Sequence, residues 1–276
     1  MIWSVLFAVL ACGPKTKTVT DAAVPTVVPS TELSGASTAP TDTKGIRSVE
    51  VLGQIHLNQE FDGFQSETLM RFRRLTIEPG GVVAQHEHQQ RPGVAYILNG
   101  AITEHRNGEV RTCQAGDLAY ESSGVTHWWA NQSEEEVVAI VVDLIQAEHA
   151  PELGDYRTVE QSGPLANANQ GLTVTTLGQQ ELSDEFSALK GKALRIRHID
   201  VAPEGTVAFH THQSRPSFAY LLSGQMTEHR DDRTEAIEHL KGAVVVERNG
   251  LGHWWENTSG RAARFLVVDI VAVETE

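Results

Sequence analysis

The chain has 276 residues with 36 Asp and Glu against 22 Lys and Arg, and a formal net charge of −14. That acidity excludes a phosphate-binding surface for nucleic acid and disfavours an anionic membrane face, both of which need clustered Lys and Arg. With 40% hydrophobic and 21% charged residues and 23 glycines for tight turns, the composition fits a β-rich globular protein of one or two domains, and its two cysteines, Cys12 and Cys113, give no disulfide framework.

Residues 2 to 11 are almost wholly apolar but too few to cross a bilayer as a helix, so MIWSVLFAVLAC reads as a signal peptide. Its Val-Leu-Ala-Cys ending resembles a bacterial lipobox. That resemblance implies cleavage before Cys12, lipidation of its thiol, and a mature protein anchored at the periplasmic or extracellular face of the cell envelope. A plain secretory peptide and an incidental apolar terminus are the alternatives. Residues 13–45 are rich in Thr, Pro, Ser and Ala and cannot bury enough surface to offset their ordering entropy, so they are expected to form a disordered tether. Structure is expected to begin near Ile46.

Beyond it, ETLMRFRRLTIEP (67–79), VAYILNGAITEHR (94–106) and VVAIVVDLI (137–145) are runs of β-branched, aromatic and alternating apolar residues bounded by Gly, Pro or Asn. Many short strands with Gly-containing turns predict an all-β sandwich or barrel, with helix confined to scraps such as 147–160. The chain also repeats itself. VLGQIHL (51–57) returns as TLGQQEL (176–182), RFRRLTIEPGG (71–81) as RIRHIDVAPEG (195–205), and Thr-Glu-His-Arg at 103–106 at 227–230. The offset grows by two between Arg106/Arg230 and Gly116/Gly242, which places two extra residues in a hairpin loop of the second copy, where insertions cost little. Asp143 and Asp269 close the alignment. The expected organisation is 1–12 signal, 13–45 tether, 46–146 first barrel, 147–170 connector and 171–276 second barrel, each copy long enough for its own core.

His86 and His88, one residue apart, share one face of a predicted strand, and Gly124 lets the chain turn so that His127 arrives from a neighbouring strand. His210, His212 and His253 repeat the pattern. Three converging imidazoles are a divalent-metal ligand set. Gly80, His86-x-His88, Gly100, Gly116, Gly124, His127 and Asn131 together resemble the two motifs of the cupin superfamily. His210, His212, Gly224, Gly242, Gly250, His253 and Asn257 do the same in the second copy, with Glu204 in place of the opening glycine. The resemblance covers 46–146 and 171–276. It implies a bicupin of two tandem jelly-roll β-barrels, as in the oxalate decarboxylase, germin and quercetinase relatives.

Two departures bear on the chemistry. The usual cupin carries a glutamate ligand where this chain has Gly93 and Ser217, and the proline of the second motif is replaced by Ser122 and Arg248. Each site is therefore expected to have three histidines unless another group fills in. Such a set suits Fe, Zn, Mn, Ni or Cu and leaves positions open for water or substrate. Three-histidine cupins include the thiol dioxygenases, an analogy of ligand type alone. The competing reading is that the histidines are interior residues of a barrel that lost its metal, but six of them at two matching spacings are hard to retain by packing.

Glu104-His105 and Glu228-His229 follow each Gly turn. Alternation sends the two members of each pair to opposite faces, so one of each could serve as acid/base or second-layer partner. Arg91 and Arg215, three residues past the second histidine, could reach an anionic substrate, clamp a local carboxylate, or form surface salt bridges. One ring of Trp128-Trp129 and of Trp254-Trp255 should face the barrel and one the outside. Cys113 stands in a loop without a counterpart. Two functions stay open: a metalloenzyme of oxygenase type, with Arg91 or Arg215 and Glu104 or Glu228 assisting, and a non-catalytic module holding a small anion, a carbohydrate or metal. The expected partner is a small molecule, with the membrane reached only through the lipid anchor. Pairing through sheet edges would give a homodimer or be satisfied between the two barrels of one chain.

Overall fold

The computed structural model describes residues 38–147 and 165–273. The signal peptide with Cys12, the tether up to residue 37, and nearly all of the 147–160 stretch expected to hold helix lie outside the described residues. The described part is almost entirely β. Helix is limited to α1 (Leu57–Glu60) and a 3₁₀ turn at Ser187–Leu189.

The first repeat folds into β1 (Lys44–His56), β2 (Thr68–Glu87), β3 (Gly93–Asn99), β4 (Ala101–Arg106), β5 (Glu109–Gln114), β6 (Leu118–Glu121), β7 (Thr126–Ala130) and β8 (Val137–Gln146). They pair in the order β5-β4-β7-β2-β8-β3-β6, with β1 added along β2. The second repeat supplies β9 (Gln170–Glu181), β10 (Lys192–Thr211), β11 (Ser217–Ser223), β12 (Gln225–Arg230), β13 (Ile237–Leu240), β14 (Val244–Glu247), β15 (Gly252–Glu256) and β16 (Ala263–Ala272). Their order is the same, β13-β12-β15-β10-β16-β11-β14 with β9 along β10. The result is two jelly-roll barrels. The two added residues of the second copy fall between β12 and β13, at 231–236, where the first copy turns on Asn107-Gly108 alone.

Three cores explain why β3 and β8 read as continuous apolar runs while other strands alternate. Ala95, Ile97, Ala139 and Val141 point into the first barrel, and Ala219, Leu221, Phe265 and Val267 into the second. The opposite faces, carrying Val94, Tyr96, Ile140 and Val142 in one barrel and Phe218, Tyr220, Leu266 and Val268 in the other, form a third core between the barrels. A strand covered on both faces has no polar side to alternate with. Phe72 and Phe218 meet there with ring centroids 5.1 Å apart. Gly53 lies against Phe218, where a Cβ would come within 2.7 Å of the ring. Polar clasps flank this apolar contact. The Glu60 carboxylate accepts from the backbone N of Asn249 at 2.9 and 3.0 Å, Glu185 accepts from Ser123 N at 2.5 Å, and Gln180 donates to the carbonyl of Glu121 at 3.0 Å. Burial pushes the Glu60 carboxyl up to about 7 against the bond from Asn249 and the charge of Arg248.

Glu204 adopts φ +58 where Gly80 of the first copy has φ +69. The turn demands the left-handed region in both copies, and the second meets it with a residue that pays a steric cost there. No helix among the described residues is long and apolar enough to cross a membrane.

Candidate metal centres

Each centre is assembled where β2 meets β7, or β10 meets β15. His86 sits opposite His127 in the ladder and His210 opposite His253, each just past a register shift that separates them from Val83 and Val207. A bulge re-aims the side chain that follows it. His88 and His212 come immediately after the strand ends, and both are buried, as are His127 and His253. In the first barrel His88 Nε2 lies 2.9 Å and His86 Nε2 3.1 Å from His127 Nε2. In the second, His212 Nε2 and His210 Nε2 lie 3.0 and 3.1 Å from His253 Nε2.

The other ring nitrogens decide what these short contacts are. His86 Nδ1 is 2.8 Å from the Ala84 carbonyl, His88 Nδ1 3.2 Å from the Arg91 carbonyl, and His127 Nδ1 2.8 Å from Glu104 Oε1. Carbonyl and carboxylate oxygens only accept, so each Nδ1 carries the proton and donates it. The second barrel repeats this with Ala208 O at 2.9 Å, Arg215 O at 3.3 Å and Glu228 Oε1 at 2.7 Å. Burial, followed by the neighbouring imidazoles, pushes His88 down to about 3, and burial leads the same shift in His212 to about 3 and in His210 to about 4. His86 is lowered too, again chiefly by burial. The lowered groups favour the neutral ring, and their Nε2 lone pairs point at the Nε2 atoms of His127 and His253. Such a convergence of ring nitrogens fits a cation at its centre. The three candidate ligand atoms of each set lie within 4.8 Å of one another, close enough for one ion to be held by all three.

Glu104 and Glu228 are fully buried and face inward, while their neighbours His105 and His229 face out and stack on Trp128 and Trp254 at 3.5 and 3.8 Å. Their place is behind the histidines, fixing the tautomer and orientation of His127 and His253. Burial opposes ionisation of Glu104, but hydrogen bonds from His127 and Arg111 and the charges of Arg106 and Arg111 outweigh it and bring the carboxyl to about 2. Glu228 reaches about 2 by the same balance, with His239 and His253 as donors and Arg230 nearby. Trp129 and Trp255 are the inward rings, edge-on to His127 and His253 at 5.8 and 5.5 Å.

Arg91 does not reach the imidazole cluster. It donates through Nε at 2.9 Å to Asp143, a fully buried carboxylate that also takes a two-point contact from Arg71 at 3.1 and 2.8 Å and a bond from Arg73 at 2.8 Å. Burial would raise Asp143, but the Arg71 bonds and the charges of Arg73, Arg71 and Arg91 hold it below the usual range. Asp269 has the same partners in Arg195 and Arg197, whereas Arg215 stands off at 3.5 Å. Arg197 and Arg215 line a cavity of about 50 Å³ with His210, His212, Glu247 and Trp255. The Nε atoms of Arg73 and Arg197 are buried without a partner.

Cys113 corrects the sequence reading. It is not in a loop but on β5, 2% exposed in the first barrel's core, and burial raises its thiol. Asn131 and Asn257 stay out of the centres. Each pins its turn, through three carbonyls accepting from Nδ2. Two carboxylates escaped the sequence reading, Glu121 and Glu247, which close β6 and β14 beside the histidines. Glu121 Oε2 is 3.5 Å from His88 Nδ1, and Glu247 is 3.6 Å from His212 Nε2 and 3.7 Å from His253 Nε2. Burial, then the charge of Asp143, pushes Glu121 up to about 8 against the pull of Arg91 and Arg73. The signal available was a carboxylate ending a short apolar strand in both copies.

Comparison with known proteins agrees with this architecture. The Cupin domain family matches residues 73–143 and again 197–269. An oxalate-binding protein of Thermotoga maritima is 32% identical over 75 residues, which are 26% of this chain and 62% of that protein's length. Among solved structures, a Pseudomonas aeruginosa protein described as glyoxylate-induced aligns over 85% of this chain and 84% of its own, with TM-score 0.58 and 14% identity. Salicylate 1,2-dioxygenase of Pseudaminobacter salicylatoxidans aligns over 72% and 70%, with TM-score 0.52 and 10% identity. The coconut allergen cocosin does so over 84% and 86%, with TM-score 0.51 and 15% identity. At those identities the likeness concerns the fold. With the family matched once in each barrel, the chain belongs to the cupins and carries two cupin domains in tandem.

Proposed function

We propose that this bicupin holds one divalent transition metal in each barrel, through His86, His88 and His127 and through His210, His212 and His253, and presents it to a small oxygen-rich molecule as an oxygenase or related metalloenzyme. The observation that carries this reading is the set of Nε2 contacts at 2.9–3.1 Å between rings whose Nδ1 protons are all given away. A bound ion would supply Lewis acidity and a site for O₂ or substrate. Glu104 and Glu228 keep His127 and His253 in the ligating tautomer, and the aromatic and aliphatic walls around Trp129 and Trp255 limit water. Arg197 and Arg215 in the second cavity favour an anionic ligand.

A second reading is supported by those arginines and by the likeness to the oxalate-binding protein of Thermotoga maritima: a binding module that captures a small carboxylate at the metal without turnover. Metal-loaded protein should be tested for O₂ uptake and product formation with a panel of small carboxylic acids, alongside calorimetric titration with oxalate. Turnover supports the enzyme. Tight metal-dependent binding without turnover supports the module, and neither, on protein that carries metal, rejects both. A lipid anchor at Cys12 in the cell envelope belongs to the same proposal, and its test is whether Cys12→Ser moves the protein out of the membrane fraction.

A further inference from the structure

The position that carries a glutamate ligand in the usual cupin is Gly93 in the first barrel and Ser217 in the second, and neither offers a carboxylate. Their ladder partners do. Gly93 is registered opposite Glu121 and Ser217 opposite Glu247, so in each barrel a carboxylate stands directly across the strand pair. A side chain at 93 has no room, since a Cβ there would lie 2.7 Å from the Val142 carbonyl. The two transposed carboxylates are then held differently.

Glu247 accepts a short hydrogen bond from Ser217 Oγ, which turns its oxygens toward the ligating side of the cluster. Oε2 faces His212 Nε2 at 3.6 Å and Oε1 faces His253 Nε2 at 3.7 Å. Both Nε2 atoms are lone-pair donors because their Nδ1 protons go to Arg215 O and Glu228. The carboxyl oxygens and the imidazole lone pairs therefore converge on one space, an arrangement suited to holding a cation. Glu121 has no hydroxyl opposite it. Its Oε2 lies 3.5 Å from the Nδ1 side of His88, away from the ligating nitrogen, and is buried without a hydrogen bond.

The geometry points to two unequal centres: in the second barrel Glu247, oriented by Ser217, is a fourth protein ligand beside His210, His212 and His253, whereas the first barrel's centre has three imidazoles only. This rests on the metal reading above. A carboxylate donor lowers the formal charge of a divalent centre from +2 to +1 and shifts its preference toward harder, oxygen-seeking ions. The second barrel thus favours an ion of the Mn²⁺ or Fe²⁺ class relative to the first.

The test isolates the second centre in full-length protein carrying His88→Ala, and reads Co²⁺ affinity by chelator competition together with the visible absorption of the bound ion. Adding Glu247→Gln should weaken Co²⁺ by roughly tenfold or more and change the spectrum, since even an outer partner of a ligand is worth about 10–100-fold. Adding Ser217→Ala, which keeps the carboxylate but frees it, should give a smaller loss in the same direction and serves as the readout if the glutamine variant does not fold. Adding Glu121→Gln should leave the second centre's affinity and spectrum unchanged. Glu247→Gln with unaltered affinity and spectrum, in protein whose wild type binds two ions, overturns the fourth ligand alone. Wild type that binds no metal overturns both this inference and the metal reading beneath it.

Discussion

Set side by side, the two centres agree closely at the imidazoles and diverge one layer behind them. The Nε2 contacts are 2.9 and 3.1 Å in one and 3.0 and 3.1 Å in the other, and every Nδ1 finds the same kind of acceptor. Behind His127, Glu104 is held by Arg106 and Arg111. Behind His253, Glu228 is held by His239, while Arg230 turns to Asp232 at 2.9 Å. Asp143 has Arg91 at 2.9 Å where Asp269 has Arg215 at 3.5 Å. The supports were free to drift because several arrangements can present the same carboxylate oxygen to the same ring nitrogen. What both copies retain is the spacing of three lone pairs, the feature a metal would require.

The comparison can be broken most violently at the aspartates. Asp143→Asn leaves three guanidinium groups around a neutral buried side chain and should cost about 3–5 kcal/mol in denaturant unfolding. Asp269→Asn should cost less by the contribution of the looser Arg215, so equal losses would contradict the difference seen between the barrels. Next come the carboxylates behind the histidines. Glu104→Gln and Glu228→Gln should each weaken metal binding at their own barrel by about 10–100-fold, measured by competition with a chromophoric chelator, and leave the other barrel unaffected.

How much of this could be read from the sequence depends on range. The β-rich duplication, the two histidine triplets and the extra residues between Arg230 and Gly242 were legible in alternation, Gly turns and self-similarity, and the two jelly-roll barrels through the resemblance to the cupin motifs. Glu121 and Glu247 were not, because their relation to Gly93 and Ser217 exists only in the β3–β6 and β11–β14 registers. Cys113 was misread as a loop residue because β5 is mostly exposed and carries a polar pattern, with Cys113 its one buried position. Arg91 and Arg215 were given three open roles, and pairing with Asp143 and Asp269 could not be chosen among them without knowing which strand lies beside them. The third core between the barrels left a trace in the unbroken apolar runs of β3 and β8, but no partner could be read from it.

A subtler break exploits pH. Glu121 is raised to about 8 from an ordinary 4.5, so the stability its protonated form contributes is complete below about 4.5 and is lost as pH rises through about 8. In metal-free protein the melting temperature of Glu121→Gln should therefore gain on wild type as pH is raised from 5 to 8.5, by at least roughly 3 °C. A constant difference would mean that Glu121 does not titrate in that window. The smallest expected effect is at the turn where the copies differ in kind. Glu204→Gly should relieve the left-handed strain and stabilise by up to about 1 kcal/mol, since the gain in the fold is partly offset by a looser unfolded chain.

The most direct measurement is metal per chain after reconstitution and chelator challenge, in wild type, His88→Ala, His212→Ala and the double variant. Two, one, one and no equivalents are the result these centres predict, because two remaining imidazoles hold an ion poorly. Wild type that retains none of Zn²⁺, Fe²⁺, Ni²⁺, Mn²⁺ or Cu²⁺, or a double variant with the stoichiometry of wild type, would contradict it.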